Sequence, residues 1–265
     1  PLPVVAAITG ASSVCVGSTT VLASSTTGGV WSTSDATVAD VSASGVVTGA
    51  SAGSATITYT VTDGNGCTNS TSASVTVNAT PTATVTASGA TTFCAGGTVD
   101  LTANAGTSYL WSNGAQTQTI TVTTSGSYSV TVTNGSGCST TSAAEAVTVD
   151  PLPTVAAITG SPDVCVGSTT VLASSTTGGV WSTSDATVAD VSASGVVTGV
   201  STGSATITYT VTDGNGCPNS TSASVTVNAT PTATVTASGA TTFCAGGSVD
   251  LTANAGTSYL WSNGA

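Results

Sequence analysis

The sequence lacks the basic residues on which most active sites depend. It contains no Lys, no Arg and no His, and only 11 Asp and Glu among 265 residues. General acid and base catalysis mostly uses His, Lys or paired carboxylates, and clamps for oxyanions or phosphates mostly use Arg or Lys. We therefore expect a protein that is not an enzyme, and we predict no catalytic residue and no cofactor.

The missing cations also narrow the range of partners. Affinity for nucleic acid comes largely from Lys and Arg that displace counterions from phosphates, so a chain of net charge -11 would repel nucleic acid. The mean hydropathy of +0.38 arises from scattered Val, Ala and Ile. A run of about 18 apolar residues, the length that crosses a bilayer, does not occur. The sequence predicts neither nucleic-acid binding nor membrane insertion of this segment.

A long internal repeat organises the chain. Residues 1–115 recur at 151–265 with eight differences. A fixed long period is typical of modular arrays, whose function comes from reach, stiffness and multiplicity. The second copy stops inside a pattern that the first copy continues to Asp150. We expect a longer protein with an export signal and a surface-attachment region elsewhere.

The local pattern is that of β-strands. In residues 55–62, Ala55, Ile57, Tyr59 and Val61 alternate with Thr, which places the apolar side chains on one face of a strand. Similar runs recur along the chain between turns rich in Gly and Asn, and no helical period is sustained. The pattern predicts an all-β fold built from sandwich domains.

Each 150-residue repeat divides into two related halves. Pro81 and Pro151 stand where one strand pattern ends and the next begins, and both halves share the order Cys, Trp, Gly, Cys. We predict two type A domains and two type B domains, the last of them truncated. Their predicted bounds are 1–79 (A), 80–150 (B), 151–229 (A) and 230–265 (truncated B).

The cysteines indicate an oxidising compartment. There are seven, and the close Cys-x-x-Cys spacing typical of metal sites does not occur, so we predict disulfides and no bound metal. Spacings of 52 and 44 residues fit within one small domain each, which predicts a disulfide inside every complete domain. The predicted pairs are Cys15–Cys67, Cys94–Cys138 and Cys165–Cys217. The partner of Cys244 is expected beyond the sequence.

One tryptophan per domain lies between the two cysteines. A domain of 70 to 80 residues buries little apolar surface, so a large buried aromatic side chain would supplement its core. We predict core positions for Trp31, Trp111, Trp181 and Trp261. The alternative is a platform that stacks on carbohydrate.

Two segments with acidic residues are candidate calcium sites. Asp63-Gly64-Asn65-Gly66 resembles part of a calcium loop, but it offers one carboxylate, and a hairpin turn is the favoured interpretation. Glu145, Asp150 and Asp163 flank the junction at 150/151, where a shared Ca²⁺ is the alternative to three separate surface carboxylates.

The segment from Gly29-Val30-Trp31-Ser32 through Gly45-Val46-Val47-Thr48-Gly49 resembles the bacterial immunoglobulin-like domains of invasin- and intimin-type adhesins. The type B segment Gly126-Ser127-Tyr128-Ser129-Val130 is similar to repeats of large surface proteins of Bacteroidota, including gliding-motility adhesins. The resemblance implies tandem immunoglobulin-like β-sandwiches in an extended array, an extracellular location at the cell surface, and export by the type IX route.

These features together predict a non-enzymatic structural protein. We expect the repeat shaft of a cell-surface adhesin or filament, whose partners are copies of itself or further repeats of the same chain. Because Thr-rich surfaces without Lys repel one another little, lateral self-assembly is part of this hypothesis. The alternative is an array of modules that each bind a glycan or another cell-surface ligand.

Overall fold

The computed structural model describes residues 1–263. Every regular element in that part of the chain is a β-strand, which confirms the all-β prediction. The chain divides into two compact units, Pro1–Pro151 and Leu152–Ala265. This division lies one residue from the predicted junction at 150/151, and the four-domain scheme used below remains a prediction.

The first type A domain contains eight strands. They are β1 (Thr9–Gly10), β2 (Ser13–Cys15), β3 (Thr19–Ala23), β4 (Val30–Thr33), β5 (Ala39–Val41), β6 (Val46–Gly49), β7 (Gly53–Thr62) and β8 (Thr68–Asn78). They form two four-stranded sheets, ordered β2-β8-β7-β4 and β1-β3-β6-β5. The pairing of β2 with β8 is parallel, and the long hairpin of β7 and β8 is antiparallel.

Both sheets contribute to one core. In β7 the side chains of Ala55, Ile57, Tyr59 and Val61 are buried, as the alternation predicts. They belong to a face that meets apolar side chains of the second sheet, such as Leu22. Complete burial of a side chain such as that of Ile57 stabilises the fold by about 1.5–3 kcal/mol. The domain is therefore a sandwich held by β-branched and aliphatic packing.

The type B domain repeats this plan with shorter strands. They are β9 (Val85–Ala87), β10 (Thr92–Cys94), β11 (Val99–Ala103), β12 (Ser108–Trp111), β13 (Thr119–Val122), β14 (Gly126–Tyr128), β15 (Val130–Thr133), β16 (Ser139–Thr141) and β17 (Glu145–Asp150). The sheets are ordered β10-β17-β14, β13-β11-β9 and β12-β15-β16. The run of alternating residues from Tyr128 to Val132, which predicts one strand by the same pattern as residues 55–62, is interrupted at Ser129, so one long hairpin of type A becomes two short ones here.

The second copy of type A repeats the first. Its strands are β18 (Asp163–Cys165), β19 (Thr169–Val171), β20 (Val180–Thr183), β21 (Ala189–Val191), β22 (Val196–Gly199), β23 (Gly203–Thr212) and β24 (Pro218–Asn228). Two further strands, β25 (Val235–Ala237) and β26 (Leu251–Ala253), pair with each other near the end of the chain.

Gly45 forms a tight contact between the two sheets of the first domain. Its φ of +79° is in the left-handed region, and a Cβ there would collide with the carbonyl oxygen of Leu22. The same Cβ would lie 3.2 Å from the ring of Trp31. Gly17 has the same φ of +79° but open space around it. Substitutions at Gly45 and Gly17 therefore separate the cost of the left-handed backbone conformation from the cost of a steric clash.

We expect Gly45→Ala to destabilise the first domain by roughly 2–4 kcal/mol, since it adds a clash to the cost of the left-handed conformation. Gly17→Ala should cost about 1 kcal/mol, because only the conformational term applies. Hydrogen exchange followed by mass spectrometry measures this locally. Because Gly45→Ala adds one methylene, the peptide that contains residue 45 differs in mass from the otherwise identical peptide around Gly195. The peptide around Gly195 serves as an internal reference. Equal loss of protection in the two variants would contradict the packing role of Gly45.

Candidate functional site at the junction of two domains

The chain leaves the first domain beside Cys15. The short strand β2 ends at this residue and runs parallel to the last part of β8, with Cys15 opposite Asn78. The amide of Val16 then donates to the carbonyl oxygen of Asn78 at 3.0 Å. Cys15 is thus fixed at the end of the sandwich from which the linker to the next domain departs.

Cys138 follows a hairpin turn of the type B domain. The side-chain oxygen of Asn134 accepts hydrogen bonds from the amides of Ser136 and Cys138, at 3.0 and 3.1 Å. Gly137 takes a φ of +79°, which suits a tight turn. The turn leaves Cys138 only 1% exposed.

A disulfide joins Cys15 to Cys138 across 123 residues of sequence, with their Cα atoms 5.6 Å apart. The sulfur of Cys138 lies 3.8 Å from the carbonyl oxygen of Asn78. The side-chain amide of Asn134 donates to the carbonyl oxygen of Ala79 at 2.8 Å. The hairpin of one domain is therefore fastened both to β2 of the preceding domain and to the linker between them. Strands β2, β10 and β18, each the earlier strand of a parallel pair, are called the first strands of their domains.

The predicted intradomain pairs Cys15–Cys67 and Cys94–Cys138 are wrong, because Cys15 and Cys138 bond to each other. The parallel register explains why. Cys15 lies opposite Asn78, whereas Cys67 immediately precedes the other end of β8, about 36 Å away at 3.3 Å per residue. A disulfide requires Cα atoms within about 7 Å. Spacing along the sequence did not show that the two cysteines lie at opposite ends of the sandwich.

The remaining cysteines divide into bonded and free. Cys94 and Cys217 are disulfide-bonded as well. Cys67, Cys165 and Cys244 are free thiols. The predicted pair Cys165–Cys217 is therefore wrong for the same geometric reason, since Cys165 lies opposite Asn228 at the far end of β24. Disulfides of this kind fit an oxidising environment.

The tryptophans are not equally buried. Trp111 is 2% exposed, and its indole NH donates to the carbonyl oxygen of Thr117 at 2.8 Å, as expected of a core residue. Trp31 and Trp181 are half-buried and pack against the edges of their cores. Trp31 also lies 4.6 Å from the ring of Tyr59, centroid to centroid. Trp261 is half-buried and is not among the residues that pack against the core clusters of the other domains. Its core position remains a prediction.

The Asp63 segment is a hairpin turn. Oδ1 of Asp63 accepts from the amides of Asn65 and Cys67, both at 2.9 Å, so its carboxylate is used within the turn. Within residues 1–263, no group of three or more His, Cys, Asp or Glu side chains is arranged to hold a metal ion. The same residues form no helix long and apolar enough to cross a membrane.

The pKa of Asp35 is lowered by its hydrogen-bond partners. Hydrogen bonds from the hydroxyl and amide of Thr37, at 2.6 and 2.9 Å, stabilise the charged carboxylate and hold the pKa of Asp35 below its ordinary value. Asp185 has the same partners in Thr187 and its pKa is lowered in the same way. A lowered pKa means that the contribution to stability is present above the ordinary carboxyl range and is lost as pH falls through the lowered value.

We expect Thr37→Val to raise the pKa of Asp35 toward its ordinary value, because the substitution removes the hydroxyl that contributes most to the shift. Thr37→Ser keeps a hydroxyl and should leave the pKa low. Carboxyl-carbon NMR titration measures both, and Asp185 in the same molecule is the unaltered control. An unchanged pKa in Thr37→Val would show that the hydroxyl does not cause the shift.

The chain belongs to the bacterial Ig-like domain (group 2) family. The family model matches residues 3–72 and 143–222, which together are more than half of the chain. This confirms the resemblance read from the segment that contains Trp31. Both matches fall mainly on the type A domains.

Several solved structures are similar at low identity. A Ca²⁺-stabilised adhesin that helps an Antarctic bacterium to bind ice shares 18% identity over 88% of this chain and 77% of that one, with a TM-score of 0.36. Invasin, a bacterial integrin-binding protein, shares 15% over 88% and 60%, with a TM-score of 0.34. A fragment of intimin shares 16% over 60% and 67%, with a TM-score of 0.30. No curated protein matches the chain. Family membership therefore rests on the sequence match.

Proposed function

We propose that this chain is a non-enzymatic repeat shaft of an extracellular, cell-surface adhesin or filament, and that its disulfides resist extension under load. The observation that carries the proposal is the bond between Cys15 and Cys138, which joins one sandwich to the next. The family is one of bacterial Ig-like domains. Disulfide-bonded cysteines support an extracellular setting for this chain.

The disulfide changes the route that force takes through the protein. Tension that reaches Cys15 passes through the sulfur bridge to Cys138 and bypasses the segment between them, which corresponds to a sequence separation of 123. Fully extended, that segment would add about 400 Å, at 3.3–3.6 Å per residue. While the bridge is intact, unfolding of the bypassed strands cannot release this length. A shaft built in this way keeps its length even when a domain unfolds.

We expect single-molecule stretching between the chain ends to give a fully unfolded length at least about 400 Å shorter in the oxidised protein than in the reduced protein. The reason is that reduction frees the segment between Cys15 and Cys138.

The matched control is Cys15→Ser combined with Cys138→Ser, stretched without reductant. Its length should fall between the two parent values, since Cys94 and Cys217 are disulfide-bonded in addition. Equal lengths of the oxidised and reduced parent protein would overturn the proposed load path.

The arrangement of aromatic side chains weighs against the glycan-binding alternative. Stacking on a sugar ring needs an accessible aromatic face, yet Trp111 is 2% exposed. The rings of Trp31 and Trp181 pack against their cores and lie 4.6 Å from Tyr59 and Tyr209. These five rings serve packing, which favours the shaft over the glycan-binding alternative.

Lateral association between shafts is the second element of the proposal. Strand β4 is an edge strand, and β20 is its counterpart in the second type A domain. Val30 on β4 is 69% exposed and Val180 on β20 is 70% exposed. Exposed edges of sheets are usually protected by Lys or other charges, and the sequence of both strands is Val-Trp-Ser-Thr. Such edges favour pairing with another shaft.

We expect the protein with alkylated thiols to associate reversibly as its concentration rises, because the edges of β4 and β20 carry no charge. Val30→Asp combined with Val180→Asp should abolish the association by placing a carboxylate on each edge. Sedimentation velocity measures both proteins. A parent protein that sediments as a monomer at every concentration would contradict lateral assembly.

A further inference from the structure

The type A hairpin has the same turn as the type B hairpin that forms the bond. In type B, Asn134 accepts from the amides two and four residues later, the second being that of Cys138. In type A, Asp63 accepts from the amides two and four residues later, the second being that of Cys67. The turn of Asp213 and Cys217 is identical. All three turns therefore present a cysteine at the same place in the fold.

Only one of these three cysteines lacks a bond. Cys138 and Cys217 are each disulfide-bonded and 1% exposed. Cys67 is exposed and free, although its hairpin differs from that of Cys217 only in Thr68 for Pro218. The turn itself does not decide whether the cysteine is bonded. A hairpin cysteine is buried and bonded where its partner is present, and Cys67 is the one without a partner.

We propose that Cys67 is the open half of an interdomain disulfide, and that its partner is the first-strand cysteine of a type B domain placed before it. In the junction of the first two domains, a first-strand cysteine bonds to the hairpin cysteine of the following domain. Domains alternate in type, so the domain that precedes a type A domain is of type B. For this chain in solution, the free cysteine at the position equivalent to Cys94 in the repeat is Cys244 of a second copy, which is exposed.

The same rule makes Cys165 a poor partner for Cys67. Cys165 is the first-strand cysteine of a type A domain, opposite Asn228, and the rule assigns it a type B hairpin. The type B hairpin cysteine, Cys138, is already bonded to Cys15. Of the three free thiols, only Cys67 and Cys244 are therefore complementary. The proposal concerns assembly and does not depend on whether the shaft bears load.

The bond forms by thiol–disulfide exchange with a small oxidised disulfide such as glutathione disulfide. The thiolate of one cysteine attacks that disulfide, releases one reduced glutathione and leaves a mixed disulfide. The thiolate of the second cysteine then displaces the other glutathione. Two protein thiols and one glutathione disulfide thus give one protein disulfide and two reduced glutathiones.

We expect the whole chain, incubated with a glutathione redox buffer, to form a ladder of oligomers on a denaturing gel without reductant, reversed by reduction. Digestion at Asp residues and mass spectrometry should identify Cys67 joined to Cys244 as the new linkage. The absence of Lys and Arg makes trypsin useless for this digestion.

Cys67→Ser and Cys244→Ser should each stop the ladder at the monomer, while Cys165→Ser, the matched control, should leave it unchanged. None of the three thiols takes part in a disulfide, so their replacement leaves the existing disulfides in place. Failure to oligomerise would overturn the proposal, as would a ladder linked mainly through Cys67 to Cys67 or through Cys165.

Discussion

The parallel pairing of the first strand with the end of the last strand determines how these domains connect. The short first strands end at Cys15, Cys94 and Cys165, and they lie opposite Asn78, Asp150 and Asn228. Each of these cysteines is thereby held where the chain leaves its sandwich. The hairpin cysteine lies at the opposite end, where the chain enters. In a series of such domains, the exit of one meets the entrance of the next, so the disulfide forms across a junction.

A disulfide placed across a junction cannot replace a core. Domains of 70 to 80 residues bury a small share of their surface, and each sandwich here depends on its own cluster of Val, Ile and Leu. The disulfide instead fixes the connection, together with the hydrogen bond from Asn134 to Ala79. The cores of the domains and the connection between them are thus formed by different residues.

The sequence predicted the local structure well and the long-range connections poorly. Alternation in residues 55–62 identified the buried face of β7, because strand periodicity depends only on neighbouring residues. The interruption at Ser129 was missed because β-branched neighbours hide it. The disulfide pairs were wrong because they depend on which end of a sandwich a residue occupies. The sequence did contain a signal that separates the two cysteines. Cys67 belongs to the turn of the last antiparallel hairpin, whereas Cys15 precedes the long strands of the domain. The length of that hairpin places the two cysteines apart.

In the shaft proposed above, the covalent bridge would also relieve the short parallel pairing of β2 with β8. Strands β2 and β8 are joined over three residue pairs, Ser13–Cys15 with Thr76–Asn78. Pulling on the two ends loads these few hydrogen bonds together, and each contributes only about 1 kcal/mol of net stability. Once they part, the first strand would leave the sandwich and expose the core around Val14 and Val77. In the proposed shaft, tension that arrives through β2 would leave at Cys15 through the sulfur bridge, so that β8 and the linker after it would not pull against these hydrogen bonds from the other side.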